Sequence, residues 1–165
     1  MITIEIRNME ENDWEHVARI YQQGIDTNLA TFESQIPTYE YFYQSHIENY
    51  NFVAVENDRI VGWCALSPTS QRLAYKGVVE VSVYIDEDFR GRGVGTFLLN
   101  YLVDISEKME FWTLQSVILQ DNVRSRTLHE KCGFRLVGYR EKISKNKLGE
   151  WKNTFLLERR SNKIF

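Results

Sequence analysis

Residues 78–85 have the sequence Val-Val-Glu-Val-Ser-Val-Tyr-Ile, and residues 86–96 continue as Asp-Glu-Asp-Phe-Arg-Gly-Arg-Gly-Val-Gly-Thr. The β-branched run predicts a strand, and the alternating glycines predict a loop. Apolar residues at helical spacing then predict a helix that ends near residue 108. Such a helix start is a typical anion site, because its first N–H groups lack partners within the helix and carry the positive end of the helix dipole.

The spacing of the glycines excludes two common phosphate loops. A nucleotide P-loop ends in Gly-Lys-Ser/Thr, whereas Gly95 is followed directly by Thr96. A dinucleotide loop has the pattern Gly-x-Gly-x-x-Gly, whereas Gly91, Gly93 and Gly95 alternate. What remains is an Arg-x-x-Gly-x-Gly pattern after a strand with a glutamate. A glycine-rich turn with surface arginines is the alternative, and the flanking strand and helix favour the anion site.

The chain has 165 residues, which suits a single domain over residues 1–165. The formal net charge of -3 argues against a nucleic-acid binder that relies on overall positive charge. We see no basic-then-apolar leader and no long apolar run, so we expect no secretion and no contact with a membrane. The two cysteines, Cys64 and Cys132, form no metal-like pair, so we expect no metal and a reduced, cytoplasmic compartment.

Hydrophobic periodicity predicts the element order β-α-α-β-β-β-α-β-α-β-β. The first strand is predicted over residues 2–6, a hairpin over residues 52–66, and closing strands over residues 134–139 and 151–157. The lysine-rich residues 142–147 are predicted to be a solvated connection. The strand, helix and strand around the glycine loop predict a parallel crossover. The predicted fold class is therefore α/β (α+β), a mixed sheet with helices on both faces.

Glu80 is the candidate catalytic residue of the central strand. Strand alternation places Glu80, Ser82 and Tyr84 on one face, and a buried carboxylate is costly unless it is paired or opens on a cavity. Such a carboxylate could accept a proton from a substrate, more readily if burial raises its pKa. The alternative is a structural ion pair with Lys76, Arg72 or another cation.

Residues 122–134 form a second block, Asn-Val-Arg-Ser-Arg-Thr-Leu-His-Glu-Lys-Cys-Gly-Phe. This block resembles the second motif of the GCN5-related N-acetyltransferases (the GNAT superfamily), and the glycine loop resembles their pyrophosphate loop. The two motifs follow the order of the family and cover about one third of the chain. The resemblance implies acetyl-CoA as the cofactor and a twisted, mostly antiparallel sheet of about seven strands.

The resemblance also implies where the coenzyme binds. The backbone of the central strand would pair with the pantetheine arm, the loop amides would hold the pyrophosphate, and Asn122 would hydrogen bond to the pantetheine. The residues concerned are Val83, Tyr84, Ile85, Arg90, Gly91, Arg92, Gly93, Val94, Gly95, Thr96, Asn122 and Ser125. Because asparagine is also a good helix N-cap, two roles compete for the Asn122 side chain.

His129 is a second candidate catalytic residue. It stands where many members of the family have a tyrosine that can reprotonate the leaving thiolate, and an imidazole can donate a proton at neutral pH. The alternative is that His129 is a helix residue packed at the edge of the site. The sequence leaves both interpretations open.

The flanking residues resemble the phosphinothricin and methionine sulfone/sulfoximine acetyltransferases, which have Tyr-Arg-x-Thr-Val-Glu-x-Ser-Val-Tyr-Val where residues 75–85 are Tyr-Lys-Gly-Val-Val-Glu-Val-Ser-Val-Tyr-Ile. This resemblance implies acetyl transfer to the amine of a small amino-acid-like molecule, with Glu80 as the general base, and a homodimer. The implied substrate contacts are Phe32, Glu33, Arg72, Tyr75, Glu80, Val81 and Ser82. Ser70, Lys76 and Asn153 depart from the subfamily pattern, so the identity of the amine stays open.

Three other functions stay open on the sequence alone. A protein N-terminal acetyltransferase needs an open groove to admit a chain, and a non-catalytic acyl-CoA sensor does not need Glu80. A nucleic-acid binder that uses Arg90 and Arg92 is disfavoured by the acidic net charge. Arg72 is equally suited to bind a substrate carboxylate or to be a solvated loop arginine.

Overall fold

A seven-stranded sheet forms the centre of the computed structural model, which describes residues 3–165. Part of the strand predicted over residues 2–6 lies outside the described residues, and the first observed strand is β1 (Glu5–Asn8). The other strands are β2 (Asn51–Glu56), β3 (Arg59–Pro68), β4 (Val78–Ile85), β5 (Thr113–Leu119), β6 (Arg135–Lys145) and β7 (Trp151–Arg160). The α-helices are α1 (Trp14–Asp26), α2 (Tyr39–Ser45), α3 (Val94–Lys108) and α4 (Val123–Lys131).

The strand order is β1-β2-β3-β4-β5-β7-β6, and each neighbouring pair is antiparallel except β4 and β5. The predicted parallel crossover through α3 and the predicted mixed fold are thereby confirmed. The parallel pairing is short, since it joins Val78 to Thr113, Val79 to Leu114 and Glu80 to Gln115 and continues no further within residues 3–165. The edge of β4 that faces β5 is therefore open beyond Glu80.

Helices cover both faces of the sheet because its central strands send buried side chains to both sides. Trp63 of β3 packs with α1 and α2, in a core that includes Phe42. Cys64, the next residue, packs with α3 on the opposite face, in a core that includes Leu98. Cys64 and Cys132 are both free and buried. Within residues 3–165, none of the helices has the length and apolar character needed to cross a bilayer.

The predicted solvated connection over residues 142–147 is wrong. β6 continues to Lys145, which pairs with Trp151 of β7. An irregularity after Arg140, with Lys142 at a φ of 47°, interrupts the ladder before it resumes. The reason is that most side chains of β6 are exposed, so the strand carries no apolar alternation that a sequence pattern could detect.

The turn from β4 towards α3 is held in place by Asp86, whose side chain is fully buried. Its Oδ2 accepts hydrogen bonds from Arg59 at 2.8 Å and from Arg19 at 3.0 Å, and its Oδ1 accepts one from the Asp88 N–H at 3.1 Å. Burial by itself would raise the pKa of Asp86, but these donors outweigh it and lower the pKa from 3.8. The turn is thereby joined to both α1 and β3.

The other end of α3 is joined to the C-terminal segment by Glu107. Its carboxylate oxygens lie 2.9 Å from Lys163 Nζ and 2.9 Å from Arg159 Nη1. The hydrogen bond from Lys163 contributes most to lowering the pKa of Glu107 from 4.5 to about 2, against the opposing effect of burial. Because the folded pKa is the lower one, charged Glu107 stabilises the fold above pH 4.5, and this stabilisation is lost as the pH falls towards about 2.

We expect Glu107→Gln to lower the free energy of unfolding at neutral pH by about 1–3 kcal/mol, because two cations lose their charged partner. The difference from the wild type should shrink between pH 4.5 and about 2, where the wild-type carboxylate takes up a proton. Urea unfolding at a series of pH values measures both effects. Glu141→Gln, on the exposed part of β6, is the matched control, and a difference that stays constant with pH would contradict the prediction.

Candidate active site

A cavity of about 490 Å³ lies where β4 and β5 separate. Its wall is built from α1, the loop between α1 and α2, α2, strands β3 to β5, β7 and the start of α4. Segments that are far apart in the sequence therefore meet at one place. The predicted site residues that this wall contains are Phe32, Glu33, Glu80, Val81, Ser82, Val83, Tyr84, Asn122, Ser125 and His129.

Glu80 is a half-buried carboxylate in this wall. Its Oε1 lies 3.4 Å from Gln115 Nε2, which is a long hydrogen bond. Burial raises the pKa of Glu80 above 4.5, and the Gln115 contact opposes this shift. Within residues 3–165 no salt bridge involves Glu80, so the alternative of an ion pair with Lys76 or Arg72 is not observed. A carboxylate with a raised pKa and no cationic partner is suited to accept a proton.

A row of aromatic rings forms one side of the cavity. Tyr84 stacks on Trp63, with 4.7 Å between ring centroids, and on Tyr21 at 5.0 Å. Phe42 meets Trp63 edge-on at 5.3 Å, and His46 stacks on Phe42 at 4.0 Å. Burial raises the pKa of Tyr21 to about 12 and also raises that of Tyr84, so both hydroxyl groups keep their protons at neutral pH. This side of the cavity is flat, aromatic and uncharged.

His129 is buried on α4, and its Nδ1 lies 2.7 Å from the Ser125 carbonyl oxygen. A carbonyl only accepts hydrogen bonds, so this contact assigns the proton to Nδ1 and leaves Nε2 as an acceptor in the neutral ring. Burial lowers the pKa of His129, against the effect of the Ser125 bond. The ring also meets Phe134 edge-on at 5.1 Å. These contacts favour a packed helix residue, and the role of general acid stays a prediction.

Both ends of the Asn122 side-chain amide are in use. Oδ1 accepts a hydrogen bond from the Ser125 N–H at 3.2 Å, so Asn122 is the N-cap of α4, as one of its two predicted roles requires. Nδ2 donates to the Leu29 carbonyl at 3.1 Å. This second bond ties the loop after α1 to the start of α4, and it leaves one N–H of Nδ2 and one lone pair of Oδ1 for a ligand.

The glycine loop lies outside the cavity, at the N-terminus of α3. Gly91 and Gly93 have φ values of 75° and 85°, and a Cβ on either would have no heavy atom within 4 Å. Gly93 is the N-cap of α3, and no side chain of the described residues 3–165 caps this end. Gly95 differs, since a Cβ there would lie 3.2 Å from Leu128. The open space and the uncapped amides fit an anionic group such as a diphosphate.

Four other predicted residues lie near the loop or at the surface. Arg90 is exposed, whereas the Arg92 guanidinium lies 3.4 Å from a Glu56 oxygen and 4.8 Å from the centroid of the Phe89 ring. Arg72 and Tyr75 are exposed and are not part of the cavity wall, so their contact with the substrate stays a prediction.

Two of the residues that depart from the subfamily pattern have structural partners. Ser70 Oγ accepts a hydrogen bond from the Arg72 N–H at 3.1 Å. Asn153 Oδ1 accepts one from the Lys142 N–H at 2.8 Å, and its Nδ2 donates to Gln120 at 2.8 Å. Neither residue belongs to the cavity wall. Asn153 instead stabilises the interruption in the β6 ladder.

The cavity wall also contains residues that the sequence analysis did not select. They are side chains of α1, α2, β3, β5 and β7, among them Tyr21, His46, Trp63, Ser67, Ser116 and Thr154. Tyr21 belongs to a series of apolar residues at helical spacing, and Trp63 lies in a hydrophobic strand. Ordinary core residues show the same two patterns. The sequence offers no feature that would have separated these residues from the core.

Comparison with known proteins identifies the family. The model of the acetyltransferase (GNAT) family matches residues 11–134, a range that contains both motifs. YwnH of Bacillus subtilis (strain 168), provisionally named a phosphinothricin acetyltransferase, is 32% identical over 134 residues, which cover 78% of this chain and 82% of YwnH. Phosphinothricin N-acetyltransferase of Streptomyces coelicolor is 29% identical over 147 residues, which cover 84% of this chain and 86% of that enzyme.

A solved structure shows the same relationship. The phosphinothricin acetyltransferase of Sinorhizobium meliloti, in complex with acetyl-CoA, matches with a TM-score of 0.90 and 26% identity, over 99% of this chain and 91% of that one. The predicted resemblance to phosphinothricin acetyltransferases is therefore confirmed. This chain belongs to the acetyltransferase (GNAT) family and is an N-acetyltransferase.

Proposed function

We propose that this enzyme transfers acetyl from acetyl-CoA to the amine of a small amino-acid-like substrate, of the phosphinothricin or methionine sulfoximine type, with Glu80 as the general base. The observation that carries the proposal is Glu80 itself, a half-buried carboxylate with a raised pKa and no ion pair, beside the opening between β4 and β5. The names of the relatives support the substrate class. Acetyl-CoA supplies the acetyl group as a reactive thioester.

The residues proposed to bind the coenzyme lie along one continuous path. The open edge of β4 at residues 83–85 offers backbone N–H and C=O groups in the manner of an added strand. The amides of residues 91–96 offer donors at the positive end of α3, with Arg90 and Arg92 nearby. Val94 is buried, so it contributes through its backbone. Asn122 and Ser125 face this path from α4.

In the proposed mechanism Glu80 removes a proton from the substrate amine. The amine nitrogen then forms a bond to the acetyl carbonyl carbon, its second N–H bond breaks, and the carbon–sulfur bond breaks as the leaving sulfur takes up one proton. His129 is the predicted proton donor to the leaving sulfur. Because its Nδ1–H is held by the Ser125 carbonyl, His129 can donate from Nε2 only when the ring is doubly protonated.

The structure supports a small substrate over a protein N-terminus. The Asn122–Leu29 hydrogen bond holds the loop after α1 beside the cavity, and the aromatic row covers one side of it. An acyl-CoA sensor would have no use for an unpaired carboxylate that is costly to bury. The exposed apolar side chains of the edge strand β6, such as Val137 and Tyr139, support the proposed homodimer. A cytoplasmic location stays a prediction.

Release of free thiol from acetyl-CoA tests the function. The panel contains phosphinothricin, methionine sulfone, methionine sulfoximine, free amino acids and short peptides. We expect turnover with the amino-acid-like amines. Turnover on peptides alone would overturn the substrate class, and tight coenzyme binding without turnover on any amine would indicate a sensor.

Glu80→Gln should lower kcat by about 10²–10⁴-fold, because glutamine cannot accept the proton of the amine. Coenzyme binding, measured by calorimetry, should stay close to the wild-type value. In the wild type the activity should fall as the pH drops through the pKa of Glu80, which is raised above 4.5, and this inflection should be absent in the variant. Glu15→Gln, at an exposed position on α1, is the control. Unchanged turnover in Glu80→Gln would remove Glu80 as the base.

Gly93→Val should abolish coenzyme binding, because a branched side chain would fill the open space beside the loop amides. The matched control is Gly149→Val, since Gly149 also has a positive φ, of 81°, with no heavy atom within 4 Å of a Cβ, but lies in the turn before β7. Both variants carry the same backbone strain, of about 1–2 kcal/mol. Calorimetric titration with coenzyme A distinguishes them, and equal losses would contradict the assignment of the loop.

A further inference from the structure

His46 is a residue of the cavity wall for which the proposed mechanism has no role. It follows α2 directly, and its ring stacks on Phe42. Its Nδ1 lies 2.7 Å from the Phe42 carbonyl oxygen and 3.1 Å from Ser45 Oγ. Because the carbonyl only accepts, Nδ1 carries the proton in the neutral ring, and Nε2 keeps a free lone pair.

The Nε2 atom of His46 remains accessible. It makes no hydrogen bond within residues 3–165. The fully buried side-chain polar atoms that lack a partner in that range are Asn51 Oδ1, Trp63 Nε1 and Thr154 Oγ1, and His46 Nε2 is not among them. Burial of the ring lowers the pKa of His46 below 6.5, against the effect of the Phe42 bond. At neutral pH the ring is therefore uncharged and able to accept a proton at Nε2.

The sheet places His46 close to Glu80. The Ile47 N–H donates to the Leu66 carbonyl at 2.9 Å, so the chain that follows His46 runs beside β3. The next residue of β3 is Ser67, which is the direct cross-strand partner of Glu80 in β4. Directly paired residues point to the same face of a sheet with Cβ atoms about 5 Å apart, so the side chains of Ser67 and Glu80 leave the sheet on the same face as neighbours. The cavity wall contains all three side chains: His46, Ser67 and Glu80.

We propose that Ser67 and His46 form a relay that carries the proton from Glu80 to solvent after each acetyl transfer. The proposal rests on the role of Glu80 in the proposed function. Acetylation of an ammonium group releases one net proton, even when the leaving sulfur is reprotonated. Glu80 must therefore lose its proton again in every cycle. A relay residue with a free acceptor atom and an accessible position meets this need.

The proton steps of the relay balance. An amine N–H bond breaks as the O–H bond of Glu80 forms. The Glu80 O–H then breaks as its proton passes to Ser67 Oγ, while the original Ser67 proton passes to Nε2 of His46. The imidazolium releases its proton to water, so Glu80 returns to its carboxylate form and no further reactant is consumed.

The charges around the cavity favour a transiently protonated His46. The other titratable groups in the wall are Tyr21, Glu33, Tyr41, Glu80, Tyr84 and His129. Of the nearby groups outside the wall, Glu48 accepts a hydrogen bond from Tyr43 at 2.8 Å. No lysine or arginine belongs to the wall within residues 3–165. An imidazolium at His46 therefore shares the cavity wall with two carboxylates, Glu33 and Glu80, and with no lysine or arginine of the described residues. Nearby negative charge favours the protonated form of the ring during turnover.

His46→Asn is the variant that separates the relay from a structural role. The asparagine amide nitrogen can replace Nδ1 as the donor to the Phe42 carbonyl, but nothing replaces Nε2. We expect kcat to fall about 10-fold at neutral pH with KM for the amine nearly unchanged, and added imidazole to restore kcat in a saturable manner. The acid limb of the wild-type pH profile that belongs to His46, below pH 6.5, should be absent.

Two further variants complete the experiment. Ser67→Ala should lower kcat in the same direction, whereas His16→Asn, at an exposed position on α1, should match the wild type. Full kcat with a wild-type pH profile in His46→Asn would overturn the relay and leave the proposed function intact. A loss of kcat that added imidazole does not relieve, with the pH profile unchanged, would assign His46 a structural role. That result would also overturn the relay. A wild-type enzyme inactive on every amine would overturn the proposed function together with the relay.

Discussion

The separation of β4 from β5 after three residue pairs is the constraint on which the rest of the site depends. β4 stays paired with β3 along its length, and β5 stays paired with β7, so each half of the sheet is supported from its outer side. Beyond Glu80, the facing edge of β4 has backbone groups that no strand satisfies in the part of the chain that the structure describes. Because unpaired backbone groups are costly when they lose contact with water, this edge is suited to bind an extended polar ligand.

Three carboxylates, Glu80, Asp86 and Glu107, have shifted pKa values, and the direction of each shift tells at which pH the residue stabilises the fold. Burial raises the pKa of Glu80, so any stability that Glu80 contributes at low pH is lost as the pH rises through its folded pKa. Asp86 and Glu107 have lowered pKa values, because both accept hydrogen bonds from cations, and each stabilises the fold once the pH exceeds its unfolded pKa. These two residues lie before and within α3, so ionic contacts anchor the helix that follows Glu80.

Hydrogen bonds of the Asn122 side chain link α4 to the loop after α1. Asn122 caps α4 with its oxygen and donates to the Leu29 carbonyl with its nitrogen, so α4 and the loop after α1 share one side chain. Ser70 and Asn153, which depart from the subfamily pattern, make their hydrogen bonds outside the cavity wall.

The sequence by itself determined the central unit. The β-branched run of β4, the glycines with positive φ before α3, the Asn122 cap and the stop of α4 at Gly133, which has a φ of 90°, all follow from local chemistry. These local preferences depend on residues that are close together in the chain, so the sequence alone is enough to predict them. The same rules failed for residues 142–147, because a strand with two exposed faces has no apolar period.

Only the tertiary structure decided which residues share the cavity. Tyr21, Trp63 and His46 come from three separate elements, and in the sequence each has the spacing of an ordinary core or helix residue. Whether Glu80 was paired or free, and which carbonyl the Asn122 Nδ2 atom reaches, depended on groups far away along the chain. The physical reason is that pKa values, hydrogen-bond partners and cavities depend on distances in space, which local sequence patterns do not encode.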